Sequence, residues 1–202
     1  MKLKHIIAAA AVAFASCSAS ATVLNSRLHV DDSFVAYIST SDTELGTAFS
    51  SGNQWDLASL GQATLVAGQD YFLHIVASDF GAMAGVMGEF ELTDSAHEFV
   101  NGAQRLLTNT TDWLGNNTGF DGNYVDLGDY GFNGSDPWYY RDGTSTDAKW
   151  IWSGDSEWND VAYFSTRIVA TSGPTDVPEP ASLALLGLGL TGLLAARRRR
   201  TN

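Results

Sequence analysis

Carboxylates are the most abundant groups able to do chemistry in this chain. Asp121, Asp126, Asp129, Asp136, Asp155, Glu157 and Asp160 crowd the stretch before the last hydrophobic run. A glycosidase needs two carboxylates about 5 to 10 Å apart across a sugar cleft, and no spacing here singles out a pair. His29, His74 and His97 stand in no His-x-x-x-His context, and Gly-x-Ser-x-Gly does not occur. Neither a zinc site nor a nucleophilic triad is expected. No catalytic residue is assigned, and the chain is read as a non-enzyme. Calcium suits the hard oxygen ligands better, with Asp121, Asn123 and Asp126 as candidate ligands and Asp155 with Asp160 as a further pair. Turn-forming Asp and Asn is the alternative reading. Trp113, Trp138, Tyr139 and Tyr140 are the candidate glycan-binding residues, because flat rings on loops can stack on the apolar faces of sugars, with simple packing as the alternative reading. The last three follow Asp136-Pro137, a turn able to present rings outward. Trp150 and Trp152 alternate onto the same strand face and are read as core, and His74, inside an apolar run, as structural.

The elements that must position these groups read as strands. Phe34, Ala36 and Ile38 alternate with Val35, Tyr37 and Ser39, and Tyr71 to Ala77 is a short apolar run suited to a buried strand. Residues 83–92 and 161–169 read similarly, 63–66 and 149–152 are shorter candidates, and Ala67-Gly68-Gln69-Asp70 reads as a turn. Helical periodicity is confined to Ser95 to Leu107, where Asp94 would cap a short helix. Between Leu107 and Thr146 the composition shifts to Gly, Asn, Asp and aromatics, the signature of long loops. The expected class is all-β, a β-sandwich or jelly roll over 22–170, flanked by an N-terminal signal peptide and a C-terminal single transmembrane helix.

The ends carry targeting signals. Lys2 and Lys4 precede an apolar run from Ile6 to Ala15, and Ala19-Ser20-Ala21 supplies the small side chains that signal peptidase needs, so 1–21 read as a signal peptide with Ala19 and Ala21 at the cut. A rival cut before Cys17 would leave a lipid-modified cysteine. Residues 171–180 form a linker containing Pro178, Glu179 and Pro180, and 181–202 a transmembrane sorting segment. Its sixteen uncharged residues, Ala181 to Ala196, span about 24 Å as a helix. Arg197, Arg198, Arg199 and Arg200 then form a basic stop on the cytoplasmic side.

The 202 residues carry a net charge of −12. Leaving out 1–21 removes Lys2 and Lys4, and leaving out 181–202 removes the four arginines, so 22–180 keep 5 basic against 23 acidic residues, a net charge of −18. Such a surface repels phosphate backbones, and no nucleic-acid partner is expected.

Pro178-Glu179-Pro180 followed by an apolar span and an arginine run resembles the PEP-CTERM sorting signal of Gram-negative bacteria that make extracellular polysaccharide. That resemblance implies export across the inner membrane, a membrane-anchored precursor, cleavage by an exosortase after signal peptidase, and delivery to the cell surface or extracellular matrix. Asp31-Asp32, Tyr37-Ile38, Gly46, Trp55, the segments 65–68, 74–77, 81–85, 107–113 and 147–152, and Tyr163-Phe164 are similar to the galactose-binding-like jelly roll of carbohydrate-active proteins. The function expected from the two resemblances is that of a polysaccharide-associated or glycan-binding module without catalysis. The alternatives are a structural matrix component without a specific ligand and a glycoside-processing enzyme.

Overall fold

In the computed structural model, residues 21–171 are described. The signal peptide up to Ser20, including Cys17 and Ala19, lies outside the described residues, as do the linker from 172 with Pro178, Glu179 and Pro180, the apolar span, and Arg197 to Arg200. Among the described residues no helix is long and apolar enough to cross a membrane.

Twelve strands follow one another: β1 (Thr22–Asp31), β2 (Ser33–Ser39), β3 (Thr47–Gly52), β4 (Ser59–Leu65), β5 (Tyr71–Ser78), β6 (Gly85–Leu92), β7 (His97–Phe99), β8 (Arg105–Leu107), β9 (Leu114–Asn116), β10 (Leu127–Phe132), β11 (Lys149–Ser153) and β12 (Val161–Ala170). They form two antiparallel six-stranded sheets. The first runs β10-β11-β6-β1-β4 with β8 beside β6, and the second β3-β2-β5-β12-β7 with β9 beside β12. β1 begins at Thr22, the residue after the expected signal-peptidase cut.

A β-sandwich results because inward-facing side chains of both sheets close on one core. Leu24, Leu28, Leu73, Ile75, Val86, Phe90, Ile151, Trp152, Phe164 and Ile168 are buried in it. Each such side chain contributes about 1.5–3 kcal/mol through removal of apolar surface from water. Strand alternation sends Val86 inward and Met87 to the outer face of the first sheet, where Met87, Trp138, Ala148 and Trp150 build a second, smaller core. Trp150 and Trp152 are thus both buried, as expected, but in different clusters and not on the one shared face expected of them.

The helix expected over 95–107 does not form. That segment holds β7 and β8 with a turn between them, closed by Gly102 at φ 73° and by the Gly102 N–H donating to the Phe99 carbonyl. The Asp94 carboxylate accepts the Ala96 N–H at 2.9 Å and the Thr22 hydroxyl at 2.7 Å. Asp94 thus makes a local turn and fixes the start of β1, where a helix cap had been expected. The predicted long loop after Leu107 also contains structure, namely β9 and β10.

Five passages between the two sheets lie at one end of the sandwich: β1 to β2 through Asp32, β3 to β4 through 53–58, β5 to β6 through 79–84, β11 to β12 through 154–160, and, beside this fourth corner, β9 to β10 through 117–126. Register enforces this. Ser33 is opposite Ser78, Asp31 opposite Gly85, and Val161 opposite Ser78, so the corners stack side by side. Backbone bonds tie them together, with Asp32 N–H to Ser78 C=O at 3.0 Å, Asp79 N–H to Asp160 C=O at 2.8 Å and Ala84 N–H to Ser156 C=O at 2.9 Å.

Candidate functional site

This end of the sandwich holds a cleft of about 740 Å³ lined by Asp31, Asp32, Trp55, Met83, Trp138, Glu157 and Trp158 among others. The first four corners each supply part of it. Asp31 and Asp32 come from the first, Trp55 from the second, residues 81–83 from the third and Glu157 with Trp158 from the fourth.

Asp31 and Asp32, which line it, and the buried Asp79 each place a carboxylate oxygen within 4.8 Å of the other two. Each carboxylate is held by an N–H donor: Trp138 Nε1 to Asp31 at 2.8 Å, Phe80 N to Asp32 at 2.7 Å, and Gly81 N to Asp79 at 3.1 Å. Burial pushes the Asp31 carboxyl up to about 7; the Trp138 hydrogen bond opposes that shift, while the neighbouring Asp32 and Asp79 add to it. Asp79 is also raised, first by burial and then by the charges of Asp32 and Asp160.

The four predicted glycan-binding aromatics divide. Trp113 and Trp138 are each only 1% exposed and so cannot offer a face to a sugar. Trp113 packs on Phe90 at 5.3 Å and donates its Nε1–H to the Leu107 carbonyl. Trp138 stacks on Trp150 at 4.4 Å and 18°, an arrangement that adds about 0.5–1.5 kcal/mol beyond simple burial. Hydrophobic area decides this against loop exposure, because the outer face of the first sheet needs a cover and Trp138 provides it. Tyr139 and Tyr140 are exposed, at 63% and 55%. The aromatics that sequence reasoning missed are Trp158 and Phe80, both 79% exposed. Their signal was their place in short polar segments between two strands, Asp79-Phe80-Gly81 and Glu157-Trp158-Asn159.

Of the predicted calcium ligands, Asp121 and Asn123 meet in one turn. Asp121 spends its carboxylate on its own turn, accepting from Asn123 N at 2.9 Å, Asn116 Nδ2 at 3.0 Å and Thr118 Oγ1 at 3.1 Å. These donors, led by the Asn123 backbone, hold Asp121 below the usual carboxylate range. Asn123 contributes its backbone to that turn, Asp126 is exposed, and Asp155 accepts the Glu157 N–H at 2.9 Å. These contacts are those of the turn reading.

His74 is buried and stacked on Phe120 at 3.9 Å, with Asp42 3.7 Å away. Burial lowers its pKa against the pull of Asp42. The Ser165 hydroxyl donates to Asp42 at 2.9 Å, so no serine is delivered to a histidine here.

Residues 176–200 match the PEP-CTERM protein-sorting motif. The motif implies export and processing by an exosortase at the inner membrane of a Gram-negative bacterium. No curated protein and no solved structure matches the chain.

Proposed function

We propose that this is an exported surface or matrix protein whose PEP-CTERM signal anchors a precursor in the inner membrane, and whose β-sandwich body binds extracellular polysaccharide without catalysis. The observation that carries the glycan reading is the mouth of the corner cleft. Trp158 lines it, 79% exposed, together with Asp31 and Asp32, whose carboxylates can accept sugar hydroxyls, and Phe80, equally exposed, gives its backbone N–H to Asp32. Large exposed rings cost solubility unless they are used. A binding role fits the carboxylates better than hydrolysis. The oxygens of Asp31, Asp32 and Asp79 lie within 4.8 Å of one another, whereas glycosidases hold two carboxyl groups about 5 Å or more apart with the sugar between them. The two antiparallel sheets support the galactose-binding-like jelly-roll class for the body.

A single shallow site of this kind should bind with a Kd of about 0.1–1 mM, so retention on a polysaccharide depends on many copies. The test is retention of the full chain, in mild detergent, on the polysaccharide of the producing cells. Trp158→Ala is expected to cut retention several-fold while stability changes by no more than about 0.5 kcal/mol, as for other exposed positions. Equal retention by the variant, or none by the unaltered protein, contradicts the reading and leaves a structural matrix component.

A further inference from the structure

We propose that Asp31, Asp32 and Asp79 form a calcium site that clamps the corners of the sandwich. The inference does not depend on glycan binding. It starts from topology: the first corner brings Asp31 and Asp32, the third brings Asp79, and the Ser33 to Ser78 register sets them side by side.

Distance then selects a shared ion. Calcium binds oxygen at about 2.3–2.6 Å, so two ligands of one ion lie at most about 5 Å apart. One carboxylate oxygen from each of the three residues meets that limit, with every separation within 4.8 Å. The three N–H donors, Trp138 Nε1, Phe80 N and Gly81 N, orient the carboxylates. They do not neutralise them. Among the described residues the ion pairs join Arg105 to Glu89, Lys149 to Asp129, Arg167 to Asp70 and His74 to Asp42, and none reaches the trio.

The second observation is a buried oxygen without a partner. Asp79 is 4% exposed, and its Oδ1 is out of contact with solvent and accepts no hydrogen bond. A buried carboxylate oxygen left unpaired is costly, and a cation removes the cost both by coordination and by offsetting the repulsion among three like charges. The ligand set consists of oxygens alone, with neither His nor Cys, which disfavours zinc and other soft or borderline metals. Ligands drawn from loop corners tolerate the longer, variable distances of calcium better than the near-ideal octahedron of magnesium. Calcium takes six to eight oxygens, so solvent supplies the rest.

The test uses the full chain in mild detergent, stripped with EDTA. Terbium, a luminescent stand-in for calcium, is expected to bind at about one ion per chain with emission sensitised through Trp138. Calcium should displace it in the range of about 0.1–1 mM, as for extracellular modules, and equal magnesium should not. Asp79→Asn and Asp32→Asn should each weaken calcium at least about tenfold, because affinity follows ligand charge, while Asp121→Asn leaves it unchanged. Should Asp79→Asn fail to fold, Asp32→Asn, at a more exposed position, decides alone. Absence of displaceable emission, equal displacement by magnesium, retention of binding in Asp32→Asn, or its loss in Asp121→Asn would overturn the proposal.

Discussion

Two acidic groups in this body look alike in the sequence and behave oppositely in the fold. Around Asp121 a single exposed carboxylate receives three donors and is held below the usual range, first by the Asn123 backbone. At the corner cleft three carboxylates share three donors, and burial drives Asp31 up to about 7. The comparison teaches that counting aspartates does not locate reactive ones. What matters is how many donors each oxygen receives and how much water is withdrawn.

The largest expected effect comes from removing the indole that both covers the second core and supports the cleft. Trp138→Ala should cost about 3–5 kcal/mol in urea melts, since it deletes a fully buried ring and the donor to Asp31. A loss below about 1 kcal/mol would show that the ring is not core after all.

An intermediate effect separates the two groups by pH. In the folded chain Asp31 titrates near 7, above its unfolded value of 3.8, so between these values the folded state binds the proton more tightly. Stability from this group is therefore full at low pH and is lost as pH rises through about 7. Asp31→Asn escapes that loss. In EDTA its Tm relative to the unaltered protein should rise by a few degrees between about pH 5 and about pH 8, with solvent screening at this half-buried group limiting the size. Asp121→Asn, the smallest change expected, should show the opposite sign. A carboxylate depressed in the folded state stabilises at neutral pH, and the stability goes as pH falls below the usual carboxylate range.

Much of the sandwich was legible in the sequence, and the exceptions have physical causes. β5 announced itself because Tyr71, Leu73, Ile75 and Ala77 all face the core. β1, the first strand and one of the longest, gave no such signal because its buried positions include Thr22, Ser26 and His29 beside Leu24 and Leu28. Trp138 read as a loop ring because Asp136-Pro137 precedes it. What buries it is Gly85, far away in sequence, where an added Cβ would lie 2.7 Å from the Trp138 ring and 2.9 Å from Trp150. The acidic trio was half legible. Asp31-Asp32 reads only as a piece of the jelly-roll resemblance, and Asp79 joins it through the pairing of β2 with β5, which no local pattern records. The sorting motif was fully legible because it is linear and needs no fold.

The most direct test of this division is a carboxyl-carbon NMR titration of the EDTA-treated protein with Asp side chains assigned. The account predicts that Asp31 inflects near 7 while Asp121 titrates below 3.8. Both carboxyls titrating together in the ordinary range would contradict it, because the cleft would then be no drier, and no more crowded with charge, than an exposed turn.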